Sequence, residues 1–342
     1  MKRLINALLA VSLAIGVAAM PAWAQAPEKK KITIAVGGKN LFYYLPLTVA
    51  ERNGYFKDEG LEVEIPNFDG GAKALQALVG GSADMVSGAY EHTINMAAKK
   101  QPIKAVVLQM KYSSIVLLMP KDKAASYNGG KGLKGLKVGV TAPGSSTNMF
   151  VNNILVKASL KPTDISVVGV GTGTGAFAAM DKGEIDALVN LDPVITQLES
   201  TGKFVAVADS RTEKGMQDIY GGDYMAAVIY TTDEFIKKYP NTVQAVVNAM
   251  VRADKWVAKA TPQQIVDLMP NEFKGANPSL YKEGLLKNMI GFSENGTMSF
   301  KAAENVYRVL DKFEPSVMKA GKMDLNATFD NSFVQKANQK YK

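Results

Sequence analysis

Residues that could hold a small solute follow the ends of predicted strands in this chain of 342 residues. The clearest run is Thr141–Thr147, in which Ser145, Ser146 and Thr147 open a predicted helix. Their hydroxyl groups stand beside the free backbone N–H groups at the positive end of that helix, which favours an anion. Plain helix capping would use the same residues, and the two roles can coexist. The run therefore predicts the place that receives the anionic end of a ligand.

A second candidate loop is aromatic. It follows the predicted strand Lys31–Val36 and contains Asn40, Phe42 and Tyr43, which can hydrogen-bond to a solute or stack on it. Ordinary packing of the aromatic rings in the core is the alternative. Because the run follows a strand end, where binding residues concentrate, we favour a role in binding.

The remaining strand-end loops supply small, hydroxyl, amide and carboxylate side chains. The candidates are Gly71, Ser87, Tyr90, Glu91, Thr172, Thr174, Asn190 and Asp192. For Glu91 and Asp192, favourable interaction with a helix dipole is an equal alternative. The loop around Thr172 superficially matches a dinucleotide-binding fingerprint, but the corresponding loop in the first half lacks it and no second cofactor motif accompanies it. No cofactor is therefore predicted.

Catalytic and metal chemistry are not predicted either. The sequence has no cysteine and a single histidine, His92. Disulfides, thiolate metal sites and cysteine nucleophiles are thereby excluded. A metal site needs several ligands at matched spacing, which the sequence does not supply. We interpret His92 as structural, with donation of a hydrogen bond to an acidic ligand as the alternative.

The elements that position these loops occur twice. The segment Gly71–Asp84 is matched without a gap by Gly173–Asp186, with glycine, alanine and aspartate at corresponding positions. Both segments predict a short helix, a glycine stop and a buried strand. A supersecondary unit used twice indicates two similar α/β lobes with a ligand cleft between them.

Strands alternate with helices along most of the chain, which predicts a mostly parallel sheet flanked by helices in each lobe. Ligands of such sheets gather at the carboxyl ends of the strands. We interpret Ser114–Met119 and Ala226–Tyr230 as the segments that cross between lobes, and Ser299 as the cap of a C-terminal helix. The predicted domains are lobe 1 in residues 25–117 and 229–342, and lobe 2 in residues 118–228.

The first residues have the features of a cleavable signal peptide. Lys2 and Arg3 precede the apolar run Leu4–Met20, and small residues lead to a predicted cut after Ala24. The run is short for a membrane anchor, which is the alternative. Without the cysteine that a lipoprotein needs, residues 1–24 predict a free periplasmic protein.

The formal net charge is +8, and the lysines are scattered among acidic residues. No basic stripe interleaved with aromatic residues is present, so nucleic acid is not a predicted partner. A mild positive field would instead attract small anions.

The segment Leu45–Glu64 resembles one typical of periplasmic substrate-binding proteins of the nitrate/sulfonate/taurine class of ABC transporters. Gly81–Asp84, Leu136–Ser146 and Gly183–Ala187 resemble further segments of that family. The resemblance implies a two-lobed, type II-like fold and a monomeric, non-enzymatic solute receptor. Such a receptor delivers its solute to permease subunits in the inner membrane.

The predicted solute is a small organic anion, such as an aromatic carboxylate or a sulfonate. One alternative is an enzyme on the same scaffold, similar to the fungal thiamine-pyrimidine synthases. Those enzymes carry a cysteine-rich motif, so the absence of cysteine and the predicted signal peptide disfavour it. Another alternative is an adaptor that binds polypeptides, which would need an exposed apolar groove.

Overall fold

The protein folds around two five-stranded sheets, seen in a computed structural model that describes residues 26–342. The predicted signal peptide, residues 1–24, lies outside the described residues. In chain order the strands are β1 (Lys31–Val36), β2 (Glu62–Glu64), β3 (Met85–Ala89), β4 (Ile103–Leu108), β5 (Val116–Pro120), β6 (Lys137–Val140), β7 (Ser166–Gly169), β8 (Ala187–Asn190), β9 (Phe204–Asp209) and β10 (Ala227–Thr232).

Helices flank both sheets. They are α1 (Leu45–Arg52), α2 (Tyr55–Asp58), α3 (Gly71–Val79), α4 (Glu91–Ala98), α5 (Ser146–Lys157), α6 (Thr174–Asp181), α7 (Val194–Ser200), α8 (Glu213–Tyr220), α9 (Asp233–Lys238), α10 (Pro240–Lys259), α11 (Pro262–Leu268), α12 (Asn271–Lys274), α13 (Pro278–Asn288), α14 (Phe300–Leu310), α15 (Pro315–Ala320) and α16 (Ser332–Lys340). Ser299 caps α14 as predicted, because its Oγ accepts a hydrogen bond from the backbone N–H of Ala302.

The sheet of lobe 1 has the strand order β2-β1-β3-β10-β4, and the sheet of lobe 2 has the order β7-β6-β8-β5-β9. In each sheet one strand, β10 or β5, runs antiparallel to both of its neighbours. The other pairings are parallel, with Ile34 opposite Met85 in lobe 1 and Val138 opposite Ala187 in lobe 2. The predicted fold class, two lobes with mostly parallel sheets, is confirmed.

The chain crosses between the lobes in residues 109–115 and 210–226. The runs Ser114–Met119 and Ala226–Tyr230, which the sequence suggested as the crossings, instead form most of β5 and β10 inside the sheets. Each is the antiparallel strand that the chain forms immediately after it has crossed. The side chains on both faces of these two strands are buried, which accounts for their continuous apolar sequence. The domain boundaries predicted at 117/118 and 228/229 fall inside the same two strands.

The internal repeat has a structural explanation. Gly81 and Gly183 both adopt left-handed φ angles, of 76° and 70°, in the turns between helix and strand. Asp84 then accepts a hydrogen bond from the backbone N–H of Thr33 at 3.0 Å, and Asp186 accepts one from Lys137 at 2.9 Å. The repeated aspartate therefore links the start of β3 to β1 in lobe 1 and the start of β8 to β6 in lobe 2.

The helices that follow β10 complete lobe 1, and α10 packs against α1, α2 and β4. This arrangement agrees with the amphipathic pattern of the sequence, since α10 buries one face that includes Val243, Val247 and Val251. Across residues 26–342, every helix is too short or too polar to cross a bilayer.

Candidate functional site

Loops of lobe 1 and the second crossing segment bring a set of buried polar and aromatic side chains together. We call this set the interlobe cluster, and its members are Tyr43, Tyr44, Glu91, His92, Tyr220 and Tyr224. Tyr43 and Tyr44 follow β1, while Glu91 and His92 begin α4 after β3. Tyr220 ends α8, and Tyr224 lies in the crossing segment just before β10.

Glu91 lies at the centre of the interlobe cluster. Its negative charge is near enough to help raise the pKa of the four tyrosines, Tyr43, Tyr44, Tyr220 and Tyr224, after the larger effect of burial. The rings of Tyr220 and Tyr224 stack with 4.1 Å between their centroids, and the rings of Tyr43 and Tyr44 meet edge to face at 4.9 Å. Four phenol groups therefore surround one carboxyl group.

The Glu91 carboxyl group is only partly hydrogen-bonded. Its Oε1 accepts a hydrogen bond from the Tyr224 hydroxyl at 3.3 Å, and its Oε2 has no partner among the described residues. Glu91 is 1% exposed, and burial raises its pKa to about 7. The group is thus poised to ionise near neutral pH, with one oxygen free to accept a further hydrogen bond.

Three other buried atoms of the cluster make no hydrogen bond of good geometry within residues 26–342: the hydroxyl oxygens of Tyr43 and Tyr220 and the Nε2 atom of His92. Ser146 lies near the Tyr43 hydroxyl, Ser113 near the Tyr220 hydroxyl and the backbone of Gly144 near His92, so any such contacts are weak. Buried polar groups in folded proteins are nearly always hydrogen-bonded, so several orphaned atoms in one place indicate a site that another molecule completes. Ser146 lies next to the Tyr43 hydroxyl, which brings α5 of lobe 2 to the same site.

His92 is held as a neutral ring. Burial lowers its pKa to about 4, and its Nδ1 atom shares a hydrogen bond of 3.1 Å with the Tyr230 hydroxyl. The ring also lies against the start of α3, because a side chain at Gly71 would come within 3.3 Å of the His92 Cε1 atom. Glycine at position 71 therefore leaves room for the histidine.

Several of the residues predicted to bind a ligand connect the two lobes directly. The Ser145 Oγ accepts a hydrogen bond from the backbone N–H of Ala72 in lobe 1 at 3.0 Å. The Asn40 side chain donates to the Thr172 carbonyl at 3.0 Å and accepts from the Thr172 hydroxyl at 3.3 Å. The structure thus has the lobes in contact, with these residues at the edge of the cleft.

The remaining predicted site residues have partners of their own or stand apart. Thr147 hydrogen-bonds to the backbone N–H and hydroxyl of Thr141, and Asn190 donates to the Gly171 carbonyl. Two further candidates from lobe 1, Ser87 and Tyr90, hydrogen-bond to Gln109 and Thr328, respectively. Thr174 is exposed.

Phe42 and Asp192 participate in lobe packing. Phe42 meets Tyr281 of α13 edge to face at 4.7 Å, and its backbone N–H donates to the Asp192 carbonyl at 3.3 Å. The Asp192 carboxylate accepts hydrogen bonds from Arg211, Asn288 and the backbone N–H of Thr196. The contacts of Phe42 agree with the alternative of ring packing in the core. The hydrogen bond from the Thr196 N–H, in the first turn of α7, agrees with the alternative that Asp192 interacts with the start of a helix.

Sequence reasoning did not select Tyr44, Tyr220 or Tyr224. Tyr220 and Tyr224 flank the double glycine Gly221-Gly222, and their spacing of four residues was the available signal. The segment does not follow a strand of the internal repeat, so the rule that ligands gather at the carboxyl ends of strands did not select it. Among residues 26–342, no group of three or more His, Cys, Asp or Glu side chains is placed to hold a metal ion.

Two lobes, each built on an α/β sheet, with a polar site between them define the periplasmic binding protein fold. A family model described as NMT1/THI5 like matches residues 41–265, which is more than half of the chain. The chain belongs to this family, and the resemblance to binding proteins of the nitrate/sulfonate/taurine class is confirmed.

Solved structures share the fold. A protein from Bordetella bronchiseptica RB50 is 46% identical, with a TM-score of 0.89, and the match covers 93% of this chain and 99% of that one. The alkanesulfonate-binding protein SsuA from Xanthomonas axonopodis pv. citri, bound to MOPS, is 17% identical, with a TM-score of 0.70 and coverage of 89% and 99%. At that identity the likeness concerns the fold alone.

Curated relatives include enzymes. A 4-amino-5-hydroxymethyl-2-methylpyrimidine phosphate synthase of Saccharomyces cerevisiae is 24% identical over 235 residues, which are 66% of this chain and 67% of the yeast protein. The family therefore contains both binding proteins and synthases.

Proposed function

We propose that this protein is the solute-binding component of an ABC-type importer and that it works in the periplasm as a monomer. The observation that carries the proposal is the interlobe cluster, in which Glu91, Tyr43, Tyr220 and His92 each have a buried polar atom with no well-formed hydrogen bond to any residue of 26–342. A solute held between the lobes would supply those partners. The family and the fold support the proposal, because structures with this fold include ligand-binding components of ABC import systems.

Closure of the lobes on the solute follows from the same geometry. The bonds between Ser145 and Ala72 and between Asn40 and Thr172 form only when the lobes meet. A solute that contacts both lobes binds the closed form more tightly, so it shifts the population toward closure. The closed form would then present its surface to permease subunits of the inner membrane.

The sequence predicts an organic anion as the solute, but only a few groups in the structure are placed to donate hydrogen bonds to one. The hydroxyls of Ser146 and Tyr43 and the start of α5 could donate to an anion. The Ser145 hydroxyl, however, already accepts the Ala72 N–H of the opposite lobe. Glu91 in its ionised form would repel an anion. The proposed receptor function therefore does not depend on the sign of the charge of the solute.

Solute binding can be tested on purified mature protein with a thermal-shift screen followed by calorimetry. Bound solute stabilises the folded state by mass action, so a cognate solute should raise the melting temperature in proportion to its concentration and affinity. Tyr220→Phe removes an unpartnered hydroxyl of the cluster and should weaken binding. Tyr239→Phe removes a tyrosine hydroxyl outside the interlobe cluster, at the junction of α9 and α10, and is the matched control. A protein that binds no solute in a broad nutrient library would contradict the proposal.

A synthase is the second candidate function. The similarity to the yeast synthase and the presence of His92 in the interlobe cluster favour it, whereas the lack of cysteine separates this chain from the fungal enzymes. The two functions differ in the fate of the solute. A receptor releases the solute unchanged on denaturation, and mass spectrometry should recover one equivalent. Conversion of the solute by catalytic amounts of protein would instead establish an enzyme.

A further inference from the structure

We propose that Glu91 determines the specificity of the interlobe cluster, and that the solute presents to it a nitrogen group with N–H donors, as in an amine, an amidine or an amino-substituted heterocycle. The inference rests on the proposed receptor function and deepens it. It differs from the organic anion that the sequence predicts.

The charges in the cluster support a nitrogen group. None of the ion pairs formed among residues 26–342 includes Glu91, and the side chains near its carboxyl group are phenols. A carboxylate buried without a cationic partner is strongly unfavourable, and a cation from the solute would compensate for it. With Glu91 ionised, an anion would add a second negative charge beside it, whereas a cation would favour the ionised form.

The hydrogen-bonding pattern points the same way. Glu91 Oε2 is a free acceptor, and the hydroxyl oxygens of Tyr43 and Tyr220 can accept as well. Since Oε1 already accepts from Tyr224, the carboxyl group is oriented within the cluster. An amidine or amino heterocycle has several N–H groups and could satisfy more than one of these acceptors at once.

The tyrosine rings add a suitable lining. Cations are attracted to the faces of aromatic rings, and the attraction is greatest where water is excluded. Tyr43, Tyr44, Tyr220 and Tyr224 are all buried and grouped around Glu91. Aromatic rings beside an acidic side chain favour a flat or compact cation over a carboxylate or sulfonate.

The test measures binding of two matched classes of solute by calorimetry. One class contains benzamidine, 2-aminopyridine and benzylamine within a wider set of amines and amino heterocycles, and the other contains benzoate and benzenesulfonate within a wider set of acids. We expect binding in the first class. Glu91→Gln should weaken it about 10- to 100-fold, because a hydrogen-bonded charge is lost while the shape is kept. Glu91→Asp keeps the charge and should retain part of the affinity.

Glu62→Gln is the matched control, because Glu62 is largely exposed on the edge strand β2 and should leave binding unchanged. The melting temperature of each variant establishes that it is folded. If Glu91→Gln does not fold, Tyr43→Phe removes a neighbouring acceptor, keeps the ring, and should weaken binding of the nitrogen class several-fold.

Binding confined to the acids, with Glu91→Gln binding them equally well or more tightly, would overturn the inference and leave the receptor function intact. Binding of amines that is insensitive to both Glu91→Gln and Tyr43→Phe would also overturn it. If the unmodified protein binds no solute of either class or of a broad nutrient library, the receptor function itself is contradicted.

Discussion

Glu91 of lobe 1 and Asp192 of lobe 2 follow the corresponding strands β3 and β8 of the two sheets, and both are almost completely buried. Asp192 has a full set of partners: its Oδ1 accepts from the Thr196 N–H at 2.9 Å, and its Oδ2 accepts from Arg211 at 3.1 Å and from Asn288 at 2.8 Å. Among residues 26–342, Glu91 accepts a side-chain hydrogen bond only from Tyr224 and forms no ion pair.

This difference separates a structural carboxylate from one available to a ligand. Arg211 follows β9 and pairs with Asp192, Glu199 and Asp209, so the Asp192 carboxylate has a cationic partner within lobe 2. No cationic side chain of the described residues pairs with Glu91. Burial is the same for the two groups, and the number of unsatisfied hydrogen bonds is what distinguishes them.

The largest expected effect is the loss of the partner of Asp192. Arg211→Met leaves the Asp192 carboxylate buried without its cation, so the free energy of unfolding should fall by about 3–5 kcal/mol. Urea denaturation measures this change. Lys203→Met breaks the exposed pair with Asp181 and, as a control, should cost at most about 1 kcal/mol. Equal effects of the two substitutions would remove the distinction drawn for Asp192.

Glu91→Gln should change the way the stability of the protein depends on pH, because it removes a buried group that titrates. Because the pKa of Glu91 rises from 4.5 to about 7 on folding, the folded state binds more protons between these values. Its contribution to stability is present at low pH and is lost as pH rises toward 7. Relative to the unmodified protein, Glu91→Gln should therefore gain up to about 2–3 kcal/mol between pH 4.5 and pH 8. A constant difference across that range would contradict the unpaired state of Glu91.

His92→Gln gives the opposite slope within the same cluster. The pKa of His92 falls from 6.5 to about 4 on folding, so the folded state binds fewer protons and stability rises with pH across that window. The substitution should thus be least harmful near pH 4 and lose up to about 2–3 kcal/mol, relative to the unmodified protein, by pH 7. Urea denaturation at several pH values, read as differences from the unmodified protein, removes the contribution of the buried Asp254, whose pKa burial raises.

The smallest effect concerns the contact between the lobes. Ser145→Ala removes the hydrogen bond to the Ala72 N–H and should cost about 1 kcal/mol of closure, or about a fivefold loss in apparent solute affinity. Calorimetry with the solute found in the screen measures it, and Ser126→Ala, which removes an exposed hydrogen bond within lobe 2, should show no change. A much larger loss for Ser145→Ala would indicate that Ser145 contacts the solute directly.

The local features were largely predictable from sequence. The repeated glycine and aspartate positions indicated the two lobes, and Ser299 was recognisable as the cap of α14. The strand-end rule also placed Tyr43, Glu91 and Ser146 among the candidates. Periodicity, turns and caps act over a few residues, so a single sequence carries them directly.

Partner choice could not be predicted in the same way. Tyr224 and Glu91 share a hydrogen bond although they are 133 residues apart in sequence. Arg211 pairs with Asp192, but many other residues are equally near Asp192 in sequence and do not contact it. The local sequence likewise did not indicate the partner of Phe42, which packs against Tyr281 of the distant helix α13. Nothing in the local pattern of these residues states which of them the fold brings together.

The sequence by itself determined the α/β elements, the repeat that builds two lobes, and the loops at the carboxyl ends of the strands, because short-range sterics and hydrophobic period encode them. Only the tertiary structure decided that Asp192 is neutralised by Arg211 while Glu91 lies among tyrosines with an oxygen free. Desolvation and hydrogen bonding depend on every group within a few ångströms, and those groups come from segments far apart in the chain.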